Sequence, residues 1–166
     1  MPKIVIDSAI TSAALLALVG IANVFGWIMA AEQIPQTIAK AMLSITNDRN
    51  LIILLINILL LIVGMFMETI AALIILFPTL MTVATGVGID PVHFATFAVL
   101  NLMIGLTTPP VGVCLFVCAN IAKEPLWEVI KAIFPFLIGN LVVLLMVSYI
   151  PQLSLWLPNL LFGVTK

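Results

Sequence analysis

Asp7 and Glu32 bracket 24 consecutive residues, 8–31, that carry no charge. A helix rising about 1.5 Å per residue needs about 20 apolar residues to cross the hydrocarbon of a bilayer. The stretch therefore reads as a transmembrane helix, and Trp27 near its end suits the membrane interface. It is too long for the apolar region of a cleaved signal, so it is expected to stay. The rest of the chain has the same character. Of its 166 residues, 64% are hydrophobic and 8% are charged, against about 25% charged in a soluble domain. Mean hydropathy is +1.35. Water would leave this much apolar surface uncovered, whereas lipid tolerates it. The expected fold class is an all-α integral membrane protein.

The remaining punctuation divides the chain further. Residues 32–50 form an interfacial linking helix, with Ile34, Ile38, Ala41, Met42 and Ile45 on one face and Gln36, Lys40 and Ser44 elsewhere. Residues 51–90 hold two apolar runs, 51–63 and 70–83, around Gly64-Met65-Phe66-Met67-Glu68-Thr69. The first run has 13 residues and reaches about 20 Å, short of a hydrocarbon core of about 30 Å. Two short arms around such a break describe a re-entrant hairpin, with one long continuous helix as the alternative. Residues 91–122 read as a transmembrane helix opened by Pro91 and broken near Thr107-Thr108-Pro109-Pro110. Residues 123–134 pattern as a second interfacial amphipathic helix, and residues 135–166 as a final transmembrane helix and tail that Pro151 ends or kinks. If the hairpin returns to its own side, Lys3, Lys123 and Lys131 share one face of the membrane and Lys40, Arg49 and Lys166 the other. Three against three gives the positive-inside rule nothing to weigh.

The chemistry concentrates at the Thr-Pro run. Proline has no N–H, so inside a helix Pro109 would leave the carbonyl of Gly105 unpaired, and Pro110 that of Leu106. Unpaired backbone oxygens in hydrocarbon cost several kcal/mol and persist where they line a cavity or bind an ion. With the hydroxyls of Thr107 and Thr108 and the flanking Gly105 and Gly112, they make a candidate cation site; a packed proline kink is the plainer alternative. Glu68 is the only ionisable residue between Arg49 and Asp90. An intramembrane acid is a functional candidate by default, unless the local break exposes it to water or another subunit pairs it. The backbone at Gly64 and Met65 is a candidate for the facing half of a site. Asn57, Asn101 and Asn140 lie within apolar runs; Asn101, close to the Thr-Pro break, could line it, with hydrogen bonding between helices as the plainer alternative. His93 reads as a helix-start or interface residue. Cys114 and Cys118 share a helical face, but two thiols do not make a zinc site. The net charge of −1 gives no basic footprint for nucleic acid. No Ser/His/Asp set, phosphate loop or carboxylate pair suggests an enzyme.

Several of these segments resemble the large membrane subunit of TRAP transporters: Gly64-Met65-Phe66-Met67-Glu68, Gly88-Ile89-Asp90-Pro91-Val92-His93-Phe94, and Asn101 through Gly112 with its Thr108-Pro109-Pro110-Val111-Gly112 run. The closing Phe134-Pro135-Phe136 and Ile150-Pro151-Gln152-Leu153-Ser154-Leu155-Trp156-Leu157-Pro158 add to it. Family members often carry Asp at the position of Glu68 and Ile at that of Thr107, so the resemblance makes neither side chain obligatory. It implies a Na⁺-driven secondary importer of organic acids, of the C4-dicarboxylate or sialic acid class, in the bacterial inner membrane. Sodium would be the coupling ion, with no other cofactor, held by Gly105, Thr107, Thr108 and Gly64. The implied partners are a small four-helix membrane subunit and a periplasmic substrate-binding protein. The implied architecture is elevator-type, with two inverted repeats that each hold a re-entrant hairpin and a broken helix. Family large subunits are far longer than 166 residues. The chain is therefore expected to be the C-terminal half only, completed by the remaining N-terminal part of the large subunit. The competing expectation is a membrane assembly or pore-forming subunit without coupled transport.

Overall fold

The computed structural model describes residues 31–46, 48–110 and 112–163, with scattered positions between 6 and 28. Most of the expected span over residues 8–31 lies outside the described residues. Among the described residues seven helices are bounded, in chain order: α1 (Ile34–Ile45), α2 (Arg49–Phe66), α3 (Thr69–Gly86), α4 (Pro91–Gly105), α5 (Val113–Ala122), α6 (Leu126–Tyr149) and α7 (Pro151–Phe162). Three of them, α2, α3 and α6, are long and apolar enough to cross a membrane. The protein is thus an α-helical membrane protein.

Local signals set the boundaries. Asp48 caps α2 by accepting from the Asn50 N–H at 2.9 Å. Asp90 caps α4 through Oδ1, which accepts from Val92 at 2.8 Å and His93 at 3.2 Å. Pro91 follows at the first helical position, where its missing N–H costs nothing. The arms of the α2–α3 hairpin are longer than the apolar runs alone suggested. Each is 18 residues, or about 27 Å, because Asp48 starts α2 two residues before the apolar run and α3 runs on to Gly86. Length therefore no longer argues for short arms. The boundary expected between 134 and 135 is absent as well. α6 runs through Pro135 as one helix of 24 residues: the proline removes only the bond to the Lys131 carbonyl, and in an apolar surrounding the remaining backbone groups are best satisfied by continuing the helix. Pro151 does end the helix and opens α7.

The core forms around α4. Phe94, Phe97, Ala98 and Leu102 are buried, and α4 packs on α2, α3, α6 and α7, most extensively on α2. Ile52, Ile56, Leu60 and Val63 supply the α2 face, and Leu76, Leu80 and Val83 the α3 face. Phe94 lies 5.2 Å from Phe77 and meets Phe97 edge-on at 5.4 Å, within the range where aromatic pairs attract beyond their area. The interfacial reading of α1 rested on one apolar face. Met42 of that face is buried, and α1 packs on α3 and α2. The outward faces stay apolar. Ile58, Ile62 and Phe66 of α2 and Ile70 and Ile74 of α3 are exposed, as expected where lipid is the solvent.

The closest approach of α2 and α4 is backbone on backbone. A Cβ built on Gly105 would stand 2.6 Å from the Gly64 Cα and 2.7 Å from its carbonyl carbon. One on Gly64 would stand 3.1 Å from the Leu102 oxygen. No rotamer relieves contacts made with backbone. Gly105→Ala is therefore expected to destabilise the protein by about 1–3 kcal/mol, the usual cost of overpacking. Gly139, which meets nothing within 4 Å, is a helix-interior control. Gly139→Ala is expected to gain about 0.5–1 kcal/mol from propensity. Thermal unfolding in detergent separates the two, and equal melting temperatures for both variants would refute the crossing argument.

Candidate functional site

The ends of four helices meet beside the glycine contact. α2 stops at Phe66 and α4 at Gly105; α3 starts at Thr69 and α5 at Val113. The Met67 N–H closes α2 on the Val63 carbonyl at 2.8 Å. Glu68 then caps α3, its Oε2 accepting from Ile70 at 2.9 Å and Ala71 at 3.1 Å. The half-buried acid at the hairpin tip thus has a local structural task. The neighbouring Thr69 hydroxyl is buried without a hydrogen-bond partner.

The Thr-Pro run departs from its expected bonding. The carbonyls of Gly105 and Leu106 are not orphaned. Helix α4 ends before the prolines, and its last turn tightens so that the Gly105 oxygen accepts from the Thr108 N–H at 2.9 Å. The Leu106 oxygen accepts from the Cys114 N–H at 3.4 Å, across the loop. Both threonine hydroxyls donate to one acceptor, the Ile104 oxygen, Thr107 at 2.9 Å and Thr108 at 2.7 Å. The two prolines are joined by a cis peptide. Gly112 has φ 46°, a left-handed conformation that favours glycine, and a Cβ there would lie 3.0 Å from the Thr108 oxygen. Its N–H donates to the Met65 oxygen at 3.4 Å. Hairpin tip and loop are therefore tied directly, Gly64 to Gly105 and Met65 to Gly112. Pro109 and Thr108, with Leu61 of α2 and Trp127, Lys131 and Phe134 of α6, line a cavity of about 590 Å³.

Asn101 sits one turn before Gly105 and is fully buried. Its Nδ2 donates to the Asn57 backbone oxygen at 2.9 Å and to Asn57 Oδ1 at 2.8 Å, while its own Oδ1 has no partner. Asn57 Nδ2 in turn donates to Ser148 Oγ of α6 at 3.0 Å. Asn101 is thus held between helices, and Asn57, which the sequence marks only as one asparagine in an apolar run, is its holder. Asn140 is exposed. His93 is buried at the start of α4 with Nε2 2.9 Å from the Val147 oxygen. Cys114 and Cys118 are exposed and free. Among the described residues, no group of three His, Cys, Asp or Glu could hold a metal ion.

Helix ends carry partial charge, about half an elementary charge, negative at C-termini and positive at N-termini. Here two C-termini converge on Gly64 and Gly105, and the α5 N-terminus opens beside them. The N–H groups at the α5 end are largely engaged within the loop, Gly112 on Met65, Cys114 on Leu106 and Leu115 on Gly112. The family model described as "Tripartite ATP-independent periplasmic transporter, DctM component" matches residues 1–153. The chain belongs to the DctM family. Similar relatives include the isethionate TRAP transporter permease protein DctMQ of Oleidesulfovibrio alaskensis, 45% identical over 152 residues, covering 92% of this chain and 24% of that protein. The sialic acid TRAP transporter large permease protein SiaM of Vibrio cholerae is 42% identical over 161 residues, 97% of this chain and 38% of the relative. The C4-dicarboxylate TRAP transporter large permease protein DctM of Rhodobacter capsulatus is 40% identical over 161 residues, 97% and 37% respectively. This DctM-family chain therefore spans between about a quarter and two-fifths of the length of these relatives. All three are transporter permeases rather than enzymes.

The cap assigned to Glu68 has a direct consequence. Glu68→Ala removes the acceptor for two N–H groups and is expected to cost about 1 kcal/mol. Glu68→Gln keeps an acceptor oxygen and is expected to retain most of the stability. Thermal unfolding of the two variants decides the matter: equal losses would remove capping as the residue's role.

Proposed function

We propose that this chain forms half of the binding site of a Na⁺-coupled, binding-protein-dependent importer of organic acids. The observation that carries the reading is the meeting of the α2 and α4 C-termini at Gly64 and Gly105, in a chain whose relatives are TRAP permeases. Sodium takes oxygen ligands at unwound helix ends. Gly64, Gly105, Thr107 and Thr108 would hold it, with the free lone pairs of the threonine oxygens and backbone carbonyls as donors. A bound cation would neutralise the converging dipoles and fix the loop through Gly112. Pro109 and Pro110 keep the helix from closing over these oxygens. Met65 stands at the same level, Asn101 supports it from the buried side one turn earlier, and Glu68 secures the hairpin tip and is not the proton carrier of the cycle. The substrate carboxylate would lie toward the α5 N-terminus, drawn by the positive end of that helix.

The relatives' names give the substrate class: sialic acid, C4-dicarboxylates and isethionate are all organic anions. The working assembly would add the remaining part of the large permease, a small four-helix membrane subunit and a periplasmic substrate-binding protein, in the bacterial inner membrane. Within it α2 and α3 would form a re-entrant hairpin of an elevator-type carrier. One hydrophobic hairpin with both ends at Asn50 and Gly88 is consistent with that, although 18-residue arms are also long enough to cross.

Two experiments test this reading. In the complete transporter reconstituted in liposomes, uptake of the organic acid is expected to require a sodium gradient. Thr108→Val, and Pro109→Ala with Pro110→Ala, should each raise the sodium concentration for half-maximal uptake, the proline pair more. Sodium-independent uptake would instead favour a subunit without coupled transport. For topology, single cysteines at Asn50 and Gly88 should react with an impermeant thiol reagent from the same side, and labelling from opposite sides would rule out the hairpin's return.

A further inference from the structure

Three helices are joined by one buried polar chain. Asn101 of α4 donates both its amide hydrogens to Asn57 of α2, one to the backbone oxygen and one to Oδ1, at 2.9 Å and 2.8 Å. Asn57 passes its own amide to Ser148 of α6 at 3.0 Å, and the Ser148 hydroxyl lies 3.4 Å from Asn57 Oδ1. Asn57 is 5% exposed, and Asn101 and Ser148 are fully buried. Burying three polar side chains in an apolar core is costly unless they are bonded, so a purely packing role would be better served by leucine. Their position explains their presence. Asn101 lies four residues before Gly105, and Asn57 seven residues before Gly64, so the bridge stands about one to two turns from the glycine contact on both helices. The glycine contact itself is backbone on backbone, and the apolar side chains around it pack without direction, so neither specifies the register of α2 on α4 as a hydrogen bond does. The double acceptance by Asn57 fixes that register, because moving α2 by even one residue would leave the Asn101 amide unpaired.

We infer that Asn57 is the positioning residue of the hairpin-tip and broken-helix site: it sets the register of α2 against α4, and with it the placing of Gly64 and Met65 against Gly105 and Gly112. This rests on the functional reading above only for its bearing on sodium. The positioning itself is a statement about the loop. Ser148 ends the chain of bonds on the α6 side and tethers α6 rather than the loop, so its removal should leave the register intact.

The test uses the complete permease with Cys114→Ser and Cys118→Ser, and a single reporter, Thr108→Cys, in the half-buried loop. Asn57→Leu roughly conserves volume and removes the side-chain bonds to Asn101 and Ser148, leaving Asn101 only the backbone oxygen of residue 57. It should speed labelling of the reporter by a soluble thiol reagent roughly three- to fifteenfold, the range expected for losing a buried interhelical bond in a membrane protein. Ser148→Ala should leave the labelling rate near that of the parent. Asn101→Leu should act like Asn57→Leu, and the double variant should add little, since one bridge cannot be lost twice. In sodium-dependent uptake by the Thr108-intact protein, Asn57→Leu should lower apparent sodium affinity while the maximal rate holds within about twofold. An unchanged labelling rate in Asn57→Leu, or an equal acceleration by Ser148→Ala, would overturn the inference. If labelling responds as expected while uptake has no sodium dependence in the parent, the positioning role stands and the sodium reading falls.

Discussion

The fold depends on letting two helices touch where neither has a side chain. In lipid, apolar surface gives helices no reason to prefer each other over hydrocarbon, so close association relies on van der Waals fit and on polar bonds between them. Gly64 and Gly105 provide the fit, with backbone within contact distance of backbone. That approach brings the C-terminal ends of α2 and α4 to one place. It also lets Met65 accept from Gly112 across the gap. Larger residues at either glycine would separate the helix ends and leave two isolated termini in an apolar setting. The site and the packing are thus one feature seen at two scales.

Backbone accounting explains the loop between α4 and α5. Two consecutive prolines remove two donors, and in hydrocarbon each unpaired carbonyl is costly. The chain resolves this by leaving the helix four residues ahead of Pro109. The donors for Gly105 and Leu106 then come from Thr108 and Cys114. Both threonine hydroxyls turn back onto Ile104, which leaves their oxygens, rather than their hydrogens, facing outward as acceptors. A loop built this way satisfies itself without a ligand and still presents oxygen to one.

Much of this organisation was legible in the residues. The uncharged runs specified helices in lipid, Asp90-Pro91 specified the start of α4, and the Thr-Pro run specified its end. What escaped depended on partners distant in sequence. The orphaned carbonyls were expected because the loop was treated as a helix with two donors removed, and no local rule supplies the Cys114 N–H from eight residues on. The arms of the hairpin looked short because apolar composition, not capping by Asp48, marked their ends. Pro135 reads as a boundary because a proline breaks helices in water, whereas an apolar surrounding keeps the rest of the backbone helical past it. Asn57 is the clearest case. Within Leu51 to Val63 it is one polar residue in an apolar run, and only the third dimension places it against Asn101 and Ser148. The Gly64–Gly105 contact joins positions 41 residues apart and has no signature in either segment alone.

The cavity beside the loop bears on how wet this part of the protein is. Its wall combines Thr108 and Pro109 with Trp127 and Lys131, and Lys131 pairs with Glu128 at 3.0 Å while both remain half exposed. At the other end of α6, the Tyr149 hydroxyl reaches the Asn50 carbonyl at 3.1 Å, level with the opening of the hairpin. α6 therefore serves as a depth gauge, with one end at the hairpin's mouth and its charged first turns beside the broken helix. A charged pair draws water wherever it lies. The loop between α4 and α5 is consequently flanked by this charged pair across the cavity and by the Gly64–Gly105 backbone contact on its inner side. The loop thus lies at a seam in the chain's surroundings, where an apolar interior gives way to a half-exposed ion pair that keeps its own contact with water.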